Sequence, residues 1–331
     1  MSTPDPRFSV VVPVYRNEAS LPRVVERLIE LASTLDGELE AVFVIDGSPD
    51  ASLSALRRLL ADGRLSAQVL ELSRNFGSFS AIRAGMRVGR GDFLAVMAAD
   101  LQEPVEVVGT FFELLEADEC DIAFGARASR EDNSFSSRAF WWLYRRFVNP
   151  EIPKGGVDIF GCTRVVAQRI VSFPETHTSL IGLLFWVGFR RAFVPYDRVA
   201  SDGTSGWTTG RRLRYLFDSV YAFTDLPIIL LQVVGVIGLV GSVVGGTIVL
   251  GAWMLGAIAQ PGYTPLMIVI LASASAILIG LGVVGSYVWR GYENGKARPL
   301  EIVASHQTFE RSAGKQAVIP GITADTDARA S

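Results

Sequence analysis

The sequence predicts an α/β fold: a mainly parallel sheet with helices on both faces, followed by interfacial helices and a two-helix transmembrane hairpin. Three observations predict it. From Phe8 onward, short β-branched runs alternate with longer segments of helical apolar spacing, the pattern of right-handed βαβ crossovers. Successive runs end in polar clusters carrying Asp46, Arg74, Asp100 and Arg127. Residues 226–289 contain no Asp, Glu, Lys, Arg or His.

The elements follow in order. Phe8–Val14 is a β-branched run and reads as a buried strand. Residues 20–35 have Leu21, Val24, Val25, Leu28, Ile29 and Leu31 on one helical face. Strands are expected at 41–45, 67–72, 93–97 and 121–124, and helices at 51–60, Ser78–Val88 and 105–115. Residues 127–146 are rich in Arg, Trp, Tyr and Phe, a composition that favours the headgroup zone of a bilayer. Residues 178–189 read either as core or as a second interfacial helix.

Of 331 residues, 49% are hydrophobic, and the mean hydropathy of +0.32 exceeds that of an ordinary soluble protein. The excess is concentrated in 226–289. Pro261-Gly262 divides that stretch into spans at about 227–257 and 265–289, each long enough for a bilayer. The Gly241-x-x-x-Gly245 pair allows close helix packing. Arg211, Arg212 and Arg214 precede the hairpin and Arg290, Lys296 and Arg298 follow it, while its turn is uncharged. Positive-inside orientation then puts the large domain and both termini in the cytoplasm. A hairpin without charge does not line an ion path. Residues 305–331 are polar and aperiodic and are expected to be disordered.

A net charge of −3 excludes a polycationic nucleic-acid binder. Two cysteines, Cys120 and Cys162, give neither a disulfide framework nor a zinc pattern and are expected as inert buried thiols; two histidines exclude a His-rich metal site. The polar N-terminus is not a signal peptide.

The stretch Met97-Ala98-Ala99-Asp100-Leu101-Gln102-Glu103-Pro104 stands out. An acid at the end of a buried strand is typical of a ligand site beyond the carboxyl ends of an open sheet. Asp100 and Gln102 are hard oxygen donors that suit Mg²⁺ or Mn²⁺ carrying a diphosphate; alternatively, Asp100 caps the helix after Pro104. Asp158 is a lone acid in an apolar, Gly-flanked setting, which calls for a partner or a role.

Taken together, Pro13-Val14-Tyr15-Arg16-Asn17-Glu18, Asp46-Gly47-Ser48-Pro49-Asp50, Ser73-Arg74-Asn75-Phe76-Gly77, Gly91-Asp92, Asp100-Leu101-Gln102-Glu103-Pro104 and Asp158-Ile159-Phe160 resemble family 2 glycosyltransferases. Within them the chain resembles the polyprenyl-phosphate branch that includes dolichol-phosphate mannose synthase and bacterial undecaprenyl-phosphate glucosyltransferases. Ser205-Gly206-Trp207-Thr208, the hairpin and Arg298-Pro299-Leu300 are similar to bacterial members with two membrane helices, and the match covers about residues 8 to 303.

The resemblance implies a GT-A-type nucleotide-sugar domain at 1–200, a flexible loop and juxtamembrane helix at 201–225, the hairpin at 226–289 and a cytoplasmic tail at 290–331. It implies inverting hexose transfer from a UDP- or GDP-sugar to a polyprenyl phosphate at the cell membrane, supplying a lipid-linked sugar for a cell-surface glycan. By position, Pro13, Tyr15, Glu18 and Asp46 hold the nucleoside; Asp100 and Gln102 match the metal–diphosphate motif, with Mg²⁺ or Mn²⁺ as cofactor. Arg127 and Arg138 match arginines of the acceptor phosphate, and Arg198 and Ser205 match the loop that closes over donor and acceptor. Asp158 matches an acid beside the reacting groups, so Asp100 and Asp158 are the catalytic candidates. The chain departs from the pattern at Ile45 and Ala98, where the family often has acids, and at Ser201 and Gly206, where it often has Arg and Lys. The alternatives are a non-catalytic membrane scaffold of the same fold and transfer to another lipid acceptor. A processive polysaccharide synthase would carry a Gln-x-x-Arg-Trp motif and more membrane helices. Packing of hairpins into a homo-oligomer would bury their small-residue faces.

Overall fold

A computed structural model describes residues 6–127, 151–153, 156–175, 178–197, 226–255 and 263–312. In chain order the elements are β1 (Phe8–Val14), α1 (Leu21–Thr34), β2 (Leu39–Ile45), α2 (Ser52–Leu60), β3 (Ser66–Leu72), α3 (Ser78–Val88), β4 (Phe93–Val96) and α4 (Val105–Glu116). There follow β5 (Ile122–Arg127), β6 (Val157–Thr163), α5 (Arg164–Ser172), α6 (Leu180–Trp186), β7 (Arg191–Tyr196), α7 (Leu226–Met254), α8 (Tyr263–Gly295) and β8 (Val303–Phe309).

The strands form one eight-stranded sheet in the order β7-β5-β6-β4-β1-β2-β3-β8. β1 pairs in parallel with β2 and β4, β2 with β3, and β5 with β7. β6 is antiparallel to β4 and β5, and β8 to β3. β1 is buried on both faces. Val10, Val12 and Val14 pack with α1 and α4 residues such as Leu28 and Phe111, while Val11 joins the cluster under α3, α5 and α6. Residues 178–189 thus resolve largely to core: α6 buries Leu180, Leu183, Leu184 and Phe185 and leaves Trp186 exposed.

β2 and β4 flank β1, so the connections reverse direction there, and this is where open sheets part to make a crevice. The β1–β4 pairing stops at Val11↔Val96. The Val11 carbonyl still accepts from Met97 N–H at 3.0 Å, while that of Val14 accepts from Asp46 N–H at 3.0 Å on the other side. By this alternation Pro13 faces the β4 side, beyond the end of β4. A proline in a central strand therefore removes no ladder bond.

Three strands were not expected from sequence: β6, β7 and β8. The expectation of an aperiodic tail from residue 305 is corrected for β8. His306 Nε2 lies 2.8 Å from Gln68 Oε1, Ser305 Oγ donates to Glu71 at 2.8 Å, and Ser312 N–H donates to Gly63 O at 2.9 Å. Its polar side chains find partners far away in the chain, on β3 and, from Arg57 Nε to Gln307 Oε1 at 3.0 Å, on α2.

α7 and α8 are 29 and 33 residues long. Apolar side chains such as Leu230, Val233, Ile237, Leu266, Ile277 and Leu281 are exposed along both. Counting only the described residues, no helix is long and apolar enough to cross a membrane. The helices meet at Gly280, where an added Cβ would lie 3.3 Å from Leu231 Cδ1; Gly241 and Gly245 face nothing within 4 Å. Within this chain the close approach of the two helices is at Gly280.

Glu40 on β2 is completely buried. It accepts from Ser9 Oγ at 2.7 Å, Gln68 Nε2 at 3.0 Å and Arg90 Nε at 3.0 Å. Glu40→Ala strands the buried Ser9 and Gln68 donors and is expected to cost about 2–3 kcal/mol of stability, measured as a lower unfolding midpoint of the full chain in detergent.

Candidate active site

The carboxyl ends of β1 to β4 deliver four loops to one edge, and hydrogen bonds join each loop to its neighbour. Ser20 Oγ, after β1, donates to Ala99 O, after β4, at 2.6 Å. Arg16 N–H donates to Ser48 Oγ at 2.7 Å, and Glu18 N–H to Asp50 Oδ2 at 3.1 Å. Glu18 Oε2 accepts in return from Ala51 N–H at 3.1 Å. Asp46, 3% exposed, accepts from Phe76 N–H at 2.7 Å and Gly77 N–H at 2.9 Å. Its two oxygens thus tie the β2 and β3 loops. Gly47 makes that approach sterically feasible: it has φ +57°, and a Cβ there would lie 2.4 Å from Arg74 C and Asn75 N.

Of the residues assigned to the nucleoside, Pro13 is half-buried, and Tyr15 and Glu18 are exposed beside the crevice. Arg16 lies over the Tyr15 ring at 5.5 Å, and Arg74 over Phe76 at 3.9 Å. Asp100 is exposed, and its Oδ1 accepts from Gln102 N–H at 3.3 Å. This turn holds Leu101 at φ +54°, an outlier for a bulky residue and the kind of strain that collects at functional sites. Asp100 does not cap the following helix: the N-cap of α4 is Pro104, without a side-chain bond.

The same edge receives a second cluster. β6 runs antiparallel, so its beginning, not its end, lies there and brings Asp158 beside the end of β5. Arg127 Nε donates to Asp158 Oδ2. Tyr196, at the end of β7 and in register with Arg127, donates its hydroxyl to the same oxygen at 2.9 Å. The partner demanded by the lone acid is thus a guanidinium and a phenol. Burial works against the charge of Arg127, yet Asp158 holds its pKa above the ordinary value. Burial first, then the charges of Asp158 and Glu103, push the Tyr196 hydroxyl far above the usual tyrosine range.

The structure brings together Pro13, Tyr15, Glu18, Asp46, Asp100, Gln102, Arg127 and Asp158 on one edge. Arg138, Arg198 and Ser205 lie outside the described residues, as do the Arg/Trp-rich stretch from 128 and the Ser205-Gly206-Trp207 loop. Sequence reasoning assigned no role to Ser20, Asp50 or Tyr196. Asp50 sat in plain view in the β2 loop, whereas Tyr196 had no signal until β7 was known. Among the described residues no group of three His, Cys, Asp or Glu side chains is arranged to hold a metal. Both cysteines are buried and free, and burial pushes Cys162 up to about 12.

Burial raises the pKa of Asp50, but hydrogen bonds from the Ser48 and Ser52 hydroxyls and the Glu18 and Ser52 N–H groups outweigh it and lower the value to about 2. A carboxylate depressed in the folded state stabilises it fully above the unfolded pKa and loses that contribution as pH falls through the folded one. The melting temperature of Asp50→Asn is therefore expected to lie below wild type at pH 7. The gap closes between about pH 4 and pH 2.

Residues 9–172 match the family model described as Glycosyl transferase family 2. An uncharacterized glycosyltransferase of Synechocystis sp. is 32% identical over 90% of this chain and 94% of its own length. A prophage bactoprenol glucosyl transferase homolog of Escherichia coli is 30% identical over 90% and 98%. The bactoprenol glucosyl transferase of Shigella phage SfV is 29% identical over 91% and 99%. Among solved structures, a mannosyltransferase from Pyrobaculum calidifontis, in complex with GDP-Man and Mn²⁺, aligns with a TM-score of 0.45 at 18% identity over 89% of this chain and 86% of that one. With relatives of this identity aligned from end to end, the chain belongs to glycosyltransferase family 2, close to the bactoprenol glucosyl transferases.

Proposed function

We propose that the chain transfers a hexose, with inversion, from a UDP- or GDP-sugar to a polyprenyl phosphate at the cytoplasmic face of the cell membrane. The lipid-linked sugar would feed a cell-surface glycan or its modification. One observation carries the reading: the edge that gathers Asp46, Asp100, Arg127 and Asp158 is also the edge to which the chain returns after α8. β7 ends there at Tyr196, ahead of α7. After α8 the chain re-enters the same sheet, with Val303 opposite Leu72 at the end of β3. The exposed apolar sides of α7 and α8 exceed what water-facing helices carry. At the end of α8, Lys296 lies 5.2 Å from the Trp289 ring and 4.3 Å from that of Tyr292, a grouping suited to the headgroup level. The relatives named for bactoprenol support the choice of lipid.

In this reading Pro13, Tyr15, Glu18 and Asp46 shape the nucleoside site, with Asp46 acting through the loops it ties. Asp100 and Gln102 would hold Mg²⁺ or Mn²⁺ with the donor's phosphates. One carboxylate and one amide fit a cation that commonly takes one or two protein carboxylates and keeps phosphate and water ligands. When bound, the ion supplies positive charge to the departing diphosphate.

An acceptor phosphate oxygen attacks the anomeric carbon from the side opposite the nucleotide. A carbon–oxygen bond forms, the bond to the diphosphate breaks, and the nucleoside diphosphate leaves with the electron pair. The attacking phosphate is already an anion, so positioning and charge stabilisation matter more than a strong base. Arg127 is the described cation nearest that role, with Arg138, Arg198 and Ser205 assigned beside it by family position. Asp158 orients the groups around Arg127.

Ala98 favours one other reading, a non-catalytic membrane scaffold. Asp100→Asn separates the two. We expect it to keep the chain folded and membrane-bound, to lower sugar transfer to lipid at least a hundredfold, and to abolish Mg²⁺-dependent nucleotide-sugar binding in calorimetry. A wild-type chain without metal-dependent binding supports the scaffold, and full activity of Asp100→Asn sinks the site assignment.

A further inference from the structure

We propose that Tyr196 is a positioning residue of the acceptor side: its hydroxyl holds Asp158 so that Arg127 stays turned to an anionic phosphate instead of closing onto the carboxylate. The inference rests on the transferase reading and names a residue that the reading did not include.

The geometry is specific. Tyr196 is 5% exposed although it ends a strand whose other residues are half-buried or exposed. β5 leaves a slot for its ring at Gly125, where a Cβ would lie 3.1 Å from Tyr196 Cε1 and 2.7 Å from Ile159 Cγ1. From that slot the hydroxyl reaches Asp158 Oδ2 at 2.9 Å, the oxygen that Arg127 Nε also uses. An arginine and a carboxylate left to themselves favour a two-point fork, with two parallel N–H···O bonds. Here the phenol shares the oxygen and holds the carboxylate to contact through Nε. Arg127 also shares a hydrogen bond with the Tyr196 hydroxyl, and its remaining N–H groups are then the place for a phosphate. The phenol keeps its proton, because burial and the charges of Asp158 and Glu103 oppose its ionisation. It therefore acts as a fixed donor, not as a base. Glu103 belongs to the loop of Asp100 and Gln102, and its charge is felt at the Tyr196 hydroxyl.

The test compares wild type with Tyr196→Phe, which fills the same slot without the hydroxyl. The full chain is reconstituted in vesicles containing polyprenyl phosphate. One charge-assisted hydrogen bond corresponds to roughly a tenfold effect. We expect KM for polyprenyl phosphate to rise about tenfold while KM for the nucleotide sugar is unchanged. Gly125→Ala keeps the hydroxyl but presses on the ring, and we expect the same split in smaller measure. A purely structural role would raise both KM values together or lower the amount of folded protein, and either result overturns the inference. So does a Tyr196→Phe enzyme with wild-type constants, which leaves the transferase reading standing. A wild-type chain that transfers no sugar overturns both.

Discussion

Everything functional in this molecule depends on β1 and β4 parting company. β4 pairs with only the first four residues of β1, Phe8 to Val11, while β1 runs on beside β2 to Val14. Pro13 stands where the ladder has ended and has no N–H to leave unmet. The crevice at this switch point sets where a ligand sits, and the loops after β1 and β4 are its two lips. Ser20 ties them together through Ala99 O. That hydroxyl sits at the N-cap position of α1 but makes no capping bond, so it serves the crevice rather than the helix.

The same constraint organises the charges. Parallel strands bring their polar ends to one edge, and the two antiparallel strands fit the scheme differently. β6 delivers its first residues there, so Asp158 meets Arg127. β8 begins there, so the segment after the hairpin is drawn into the sheet where the site lies. Glu301, just ahead of β8 and buried, pairs with Arg87 on α3, and Ser73 N–H donates to Ile302 O at 2.9 Å. The segment that follows α8 is thereby fastened beside the site. The proposed transfer from a water-soluble donor to a lipid phosphate would be served by this arrangement.

Much of this was legible in the sequence. The buried runs of β1 to β5 were read within a few residues, because a strand covered on both faces is continuously apolar. Asp46, Asp100 and Arg127 were found because they end such runs. β6 was missed because Asp158 interrupts its apolar run with an acid, and β7 because its burial alternates weakly. β8 was missed because Ser305, His306 and Gln307 are polar on both faces and pair with residues more than two hundred positions earlier. Tyr196 became visible only with β7. Asp46 and Asp50 were legible as polar loop residues, but their hydrogen bonds to backbone and hydroxyl groups are tertiary facts that no spacing rule encodes.

The central claim is that this edge moves a sugar from a nucleotide onto a lipid phosphate. The most direct measurement incubates the purified chain, in vesicles with or without polyprenyl phosphate, with a panel of radiolabelled UDP- and GDP-sugars and Mg²⁺, then extracts the organic phase. The account predicts that label from one hexose donor enters that phase only when polyprenyl phosphate is present. Label that stays aqueous for every donor, or enters the organic phase equally without the acceptor, would contradict it.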